Sequence, residues 1–120
     1  MAALVCVVDD DQSLRESLPD LLRELGFACR AFSSAEEFLE SDAVESADCL
    51  LLDVAMPRMS GPDLQRELAS RRLRIPIVFI TAHGDDVVVR RLVEKGAVRR
   101  LLKPFSEVDL LEAVNAAIDG

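Results

Sequence analysis

Polar side chains able to do chemistry stand where apolar runs of this sequence stop. Asp9, Asp10 and Asp11 follow the run at 4–8, Asp53 follows 49–52, Thr81 follows 77–80, and Lys103 follows a run containing Leu101 and Leu102. Carboxylates gathered in one crevice repel one another, and a set of oxygen donors is what a hard cation such as Mg2+ requires. Mg2+ keeps several waters and takes only one or two carboxylates with phosphate oxygens, so such a site retains open positions for a phosphoryl donor. A carboxylate beside the ion can attack phosphorus and become an aspartyl phosphate. For the charge that develops, Lys103 offers a mobile ammonium, Thr81 a hydroxyl, and the backbone N–H groups beyond the strands offer dipoles.

These groups meet only if the apolar runs lie parallel and side by side. Short runs rich in β-branched residues alternate with segments of helical period, five of each, which is the pattern of repeated βαβ units. Strands are predicted at 4–8, 27–32, 49–52 and 77–80, with a fifth including Leu101 and Leu102. A helix over 13–25 turns Leu14, Leu18, Leu21, Leu22 and Leu25 inward and stops at Gly26. Pro19 inside it removes one backbone hydrogen bond, which predicts a kink or a late start. Ser34 with Glu37 makes a capping box for a short helix containing Phe38 and Leu39. A loop covers 54–61, and Pro62 opens the next helix as its first residue. A fourth helix covers 86–95 with Gly96 as its stop, and Ser106 with Asp109 caps a last one through Ile118. In a parallel sheet every carboxyl end lies on one edge, and ligands of open α/β folds bind in the crevice outside it.

The 120 residues, half of them apolar, make one domain over 1–120. A net charge of −8, from 22 acidic and 14 basic residues, should repel nucleic acid and anionic membranes, so direct nucleic-acid binding by this chain is not expected. Cys6, Cys29 and Cys49 are odd in number, unpatterned in spacing and set among apolar residues, which suggests core side chains, no metal cluster and a reducing cytoplasm. No apolar run approaches the roughly 18 residues of a membrane span, and no export signal opens the chain.

V-V-D-D-D at 7–11, L-L-L-D-V-A-M-P-R-M-S-G at 50–61, F-I-T-A-H-G at 79–84 and K-G-A…L-L-K-P-F at 95–105 together resemble the receiver domain of two-component response regulators. The likeness spans nearly the whole chain, and the S-G and T-A-H-G-D wording is similar to regulators of the nitrogen-fixation FixJ type. The resemblance implies a flavodoxin-like, doubly wound (βα)5 fold with a parallel five-stranded sheet of order 2-1-3-4-5 and the site at its switch point. It implies that Asp53 accepts a phosphoryl group from the phosphohistidine of a sensor histidine kinase. Asp10 and Asp53 would coordinate Mg2+ directly, Asp9 through water, and the Ala55 backbone carbonyl as a further ligand. Thr81 would hydrogen-bond the phosphoryl oxygens and turn inward on activation, Lys103 would pair with them, and Ala82 is the small residue beside them. The Lys103–Pro104 bond is expected to be cis. Such a chain catalyses only its own phosphoryl transfer and loss. Its output is altered association through the fourth helix, fifth strand and last helix, serving a homodimer or a C-terminal DNA-binding output domain.

Each feature has a plainer reading beside it. Acids before a helix commonly only cap it, a threonine commonly ends a strand and Lys-Pro commonly makes a turn; their joint placement favours the site. Asp11 is left to capping and excluded from the metal set. His83 either overlooks the phosphoryl group or is an exposed loop residue. Ala55 has no polar side chain to orient an attacking water, so intrinsic phosphoryl loss should be slow, and rapid loss from purified protein would refute this. The family usually carries Tyr or Phe three residues before the lysine, where this chain has Arg100. Arg99 replaces a commonly acidic residue, and Arg90 and Arg91 lie on the neighbouring helix. This arginine cluster is either a solvated face or an unusual output surface on which Arg100 pairs with a partner's acid. Three rivals remain in view. One is a receiver-like interaction module working without phosphorylation. A Mg2+-dependent phosphatase would need D-x-D after the first strand and a cap, and neither is present. Flavin binding lacks any Trp or Tyr and a Gly/Ser/Thr-rich phosphate loop.

Overall fold

Five apolar segments pair in parallel in this computed structural model: β1 (Leu4–Val8), β2 (Ala28–Phe32), β3 (Cys49–Asp53), β4 (Ile77–Thr81) and β5 (Arg99–Leu102). The structure describes residues 2–82, 90–91 and 99–120. The spatial order is β2-β1-β3-β4-β5, so the chain winds one way from β1 to β2 and the other way from β3 outward. Val8 stands between Phe32 and Leu52, Asp53 opposite Ile80, and Thr81 opposite Leu102. This register carries the polar residues that end β1, β3, β4 and β5 to a single edge.

Side-chain alternation along the strands separates two apolar layers. Cys6, Val8, Leu50, Leu52 and Phe79 face α2 (Ala35–Glu40), α3 (Ala43–Ser46) and α4 (Gly61–Ser70), where Phe38, Val44, Leu64 and Leu68 cover them. Val5, Val7, Leu51, Val78 and Ile80 face α1 (Gln12–Glu24) and α5 (Glu107–Asp119), covered by Leu18, Leu22, Leu110 and Val114. β3 and β4 are buried at every residue, as expected of strands sandwiched between helices. The three cysteines are free and buried, and desolvation pushes the Cys6, Cys29 and Cys49 thiols up to about 12, 11 and 12. At neutral pH they stay protonated and behave as small apolar side chains.

The helix ends follow local chemistry. Asp11 caps α1 by accepting from the Ser13 N–H at 2.9 Å. The helix then runs through Pro19 without the late start that the proline suggested, because the cap fixes its first turn and Leu18 and Leu22 bury its face. It ends in a Schellman turn, with the Gly26 N–H on the Arg23 carbonyl, the Phe27 N–H on the Leu22 carbonyl, and Gly26 at φ 99°. That turn consumes Phe27, so β2 begins one residue later than predicted. At α2 only half of the expected box forms: Ser34 accepts from the Glu37 N–H at 3.1 Å, while the Glu37 carboxylate accepts from the Ser33 hydroxyl at 2.8 Å. The single turn α3 is too short to show a period and was not expected. α4 starts at Gly61 behind a Ser60–Asp63 capping box, which puts Pro62 second rather than first. Ser106 with Asp109 caps α5 as predicted, through a reciprocal box. The expected helix at 86–95, its Gly96 stop and His83 lie outside the described residues, apart from Arg90 and Arg91, which are helical and exposed.

Candidate functional site

β1 ends directly into Asp9, whose side chain is fully buried. Its backbone N–H donates to the Phe32 carbonyl at 3.2 Å, and its carbonyl accepts from Arg15 Nη1 at 3.1 Å, so both neighbouring elements hold it. Asp9 Oδ1 accepts from the Asp11 N–H at 2.9 Å. Among the described residues Oδ2 is buried without a hydrogen bond, although the Lys103 ammonium stands 3.3 Å away as an ion pair. Asp53 closes β3, is 8% exposed and accepts from the Ala55 N–H at 3.2 Å. Asp10 is exposed beside them, and one oxygen from each of Asp9, Asp10 and Asp53 lies within 4.8 Å of the others.

The charges in this cluster are unbalanced. Burial, and then the neighbouring Asp9 carboxylate, push Asp53 up from 3.8 to about 7, against the opposing pull of the Ala55 N–H and the Lys103 ammonium. A desolvated carboxylate whose ionised form is disfavoured, beside a buried carboxylate oxygen with no hydrogen bond among the described residues, is a set of hard donors short of positive charge. These donors fit a small divalent cation: among the described residues three carboxylates meet, with no thiolate or imidazole in the group.

Among the described residues, Lys103 brings its ammonium to the carboxylates. Its ammonium lies 3.3 Å from Asp9 Oδ2 and 3.8 Å from Asp11 Oδ2. Its backbone N–H donates to the Thr81 carbonyl at 2.8 Å, and the Lys103–Pro104 bond is cis, as expected. Thr81 is 2% exposed and donates from Oγ1 to the Leu101 carbonyl at 3.4 Å, so the hydroxyl engages the neighbouring strand. Ala82 follows it in an exposed position, and Ala55 is likewise exposed just beyond Asp53. Arg99 and Arg100 are exposed on β5 and border a cavity of about 340 Å³ together with Asp109 and Glu112 of α5.

Three contributions were not foreseen from the sequence. Arg15 ties α1 to the backbone of Asp9; a basic residue about one helical turn past the acid run was the signal. Asp11 does more than cap, since its second oxygen faces Lys103. Gly61 packs on the end of β3: a Cβ there would lie 2.5 Å from the Asp53 carbonyl oxygen and 3.0 Å from Val54 Cα. The loop can therefore close onto that strand end, with the Gly61 N–H on the Val54 carbonyl at 3.1 Å, only while position 61 has no side chain.

Comparison with known proteins gives concordant findings. The family model for the response regulator receiver domain matches residues 5–115. Nodulation protein W of Bradyrhizobium diazoefficiens is 48% identical over 117 residues, 98% of this chain and 52% of the relative. Transcriptional regulatory protein FixJ of Rhizobium meliloti is 37% identical over 113 residues, 94% of this chain and 55% of the relative. The chain thus spans about half the length of the curated relatives it matches. Among solved structures, response regulator StyR superposes with a TM-score of 0.90 at 46% identity, covering 99% of this chain and 60% of that one. FixJ-N does so with a TM-score of 0.89 at 36% identity, covering 99% and 95%.

Proposed function

The chain belongs to the response regulator receiver domain family, and on that premise we propose that Asp53 accepts a phosphoryl group from a sensor histidine kinase and thereby controls association with a partner. The observation that carries this reading is the convergence of Asp9, Asp10 and Asp53 at one point beside Lys103. In the reaction an Asp53 oxygen forms a bond to phosphorus while the bond from phosphorus to the donor's imidazole nitrogen breaks, and that nitrogen keeps the electron pair. Asp53 must be ionised to attack, and its raised pKa means that added positive charge is needed at neutral pH. Mg2+ held by Asp10, Asp53 and the Ala55 carbonyl, with Asp9 acting through water, would supply that charge and draw phosphoryl oxygens into place. The Ala55 N–H restrains the Asp53 carboxylate.

Lys103 would leave its place between Asp9 and Asp11 to pair with the new phosphoryl oxygens. Thr81 would exchange the long bond to Leu101 for one to the same oxygens, which alters the tie between β4 and β5. Arg99 and Arg100 sit on that strand, so a change at Thr81 reaches the exposed arginine face, with Arg90 and Arg91 proposed as part of the same surface. A homodimer, or a DNA-binding output domain in a longer protein, would read the change. The second is favoured by relatives about twice as long, one of them named a transcriptional regulator. Three free, buried cysteines accord with a cytoplasmic setting.

The competing reading is an interaction module that works without phosphorylation, favoured by Arg100 standing where the family usually has an aromatic ring. Incubation with Mg2+ and acetyl phosphate, followed by intact mass measurement, separates the two. A gain of one phosphoryl group that requires Mg2+ and is absent from Asp53→Asn is expected; an unchanged mass would favour the module.

A further inference from the structure

At the edge of the sheet opposite Asp53, α4 and the segment leading into β4 enclose an open groove of about 760 Å³. Its floor is apolar: Leu68 and Ile77 are buried, and Leu73 and Ile75 are partly buried against the core. Its rim carries arginines, including Arg72 and Arg74, in a chain whose net charge is −8. Arg66 and Arg71 on the same stretch are paired with Asp63 and Glu67 of their own helix. Arg72 and Arg74 have no ion pair among the described residues, so the positive charge at this groove is uncompensated.

The backbone at Arg72 gives an independent pointer. α4 ends in the same Schellman turn as α1, with the Arg72 N–H on the Ala69 carbonyl at 3.0 Å and the Leu73 N–H on the Leu68 carbonyl at 2.9 Å. In α1 the left-handed position of that turn is Gly26; in α4 it is Arg72, at φ 60°. A residue with a Cβ is strained there, and the turn itself has no use for a guanidinium. Local strain retained at an exposed position points to function.

We infer that this groove docks an acidic amphipathic helix of a partner protein, its apolar stripe on Leu68, Leu73, Ile75 and Ile77 and its carboxylates on Arg72 and Arg74. A helix is the occupant because an amphipathic helix presents one apolar stripe flanked by carboxylates, which is what an apolar floor rimmed by Arg72 and Arg74 can receive. Charge complementarity sets its sign. The apolar floor and the overall negative charge disfavour nucleic acid, whose binding rests on phosphate contacts.

The probe is a fluorescein-labelled synthetic peptide of about 15 residues, four helical turns, with Leu at i, i+3, i+4 and i+7 and Glu elsewhere. Fluorescence anisotropy should show saturable binding that weakens with salt, and the peptide with Lys in place of Glu should not bind. Arg72→Gly should raise the melting temperature by roughly 5 °C as strain is relieved, yet weaken peptide binding by about tenfold. Arg74→Ala should weaken it by a similar factor. Equal binding of the two peptides, or unchanged affinity in both arginine variants, would overturn the proposal. So would duplex DNA that displaces the peptide, or a dimer of this chain in sedimentation that Arg72→Gly abolishes, since the groove would then serve nucleic acid or a second copy. Because the groove lies away from Asp53, failure here leaves the phosphorylation reading intact, and phosphoryl uptake by Arg72→Gly should match the parent chain.

Discussion

Gly61 rests on the backbone of Asp53, so close that the first carbon of any side chain at 61 would lie 2.5 Å from the Asp53 carbonyl oxygen. The obstacle is backbone, which cannot swing aside as a flexible side chain would. Gly61→Ala must displace either the end of β3 or the first turn of α4. It should destabilise the domain by about 1–3 kcal/mol, as overpacking does. It should also slow Mg2+-dependent phosphoryl uptake at least tenfold, because small misplacement of a nucleophile is costly. Denaturant melts and a time course of intact mass would check both, and uptake at the parent rate would show that the contact does not position Asp53.

Stability of the metal-free protein should depend on pH through Asp53. Its folded pKa of about 7 lies above the ordinary 3.8, so the folded state holds an extra proton between these values. The resulting stability is fully present below about pH 4 and is lost as pH rises through about 7. Asp53→Asn removes the titration. In EDTA it should be more stable than the parent chain at pH 7.5, by on the order of 2–4 kcal/mol, and nearly equal to it at pH 4. Mg2+ should stabilise the parent at pH 7.5 and have little effect on the variant. Thermal melts at the two pH values decide it; parallel pH dependences for the two proteins would show that Asp53 is not the titrating group.

Asp11 and Lys103 touch the same acid cluster from different sides and should separate on substitution. Asp11→Ala loses the cap of α1 and should cost about 1 kcal/mol while phosphoryl uptake persists, since Asp11 is outside the proposed metal set. Lys103→Met removes the cation beside Asp9 and should slow uptake by about 10–100-fold. If Asp11→Ala abolished uptake at a Mg2+ concentration that saturates the parent chain, Asp11 would have to be moved into the metal set.

Arg100 is the departure that bears on output. Arg100→Ala should leave phosphoryl uptake at Asp53 unchanged and reduce phosphorylation-dependent association, a loss of about tenfold being reasonable for one charged contact at an interface. Sedimentation with and without acetyl phosphate reads the association. Equal association of variant and parent would assign Arg100 to the solvated surface.

Much of this protein is determined by local sequence. Alternation of apolar runs and helical periods marks the five strands, and Ser106 with Asp109 marks α5, because periodicity and capping act over a few neighbouring residues. The same locality makes the site residues visible as polar interruptions at strand ends, and parallel topology then requires Asp9, Asp53, Thr81 and Lys103 to share an edge. What only the tertiary structure decides are relations between residues distant in the chain. The bond from Thr81 to Leu101 follows from the register of β4 on β5. The hold of Arg15 on Asp9 needs α1 folded against β1. The Asp53 pKa reflects burial and the charge of Asp9, neither of which exists until β1 and β3 are side by side. Gly61 makes the same point: it must lack a side chain because a strand end arrives against it, a requirement the chain cannot feel before it is folded.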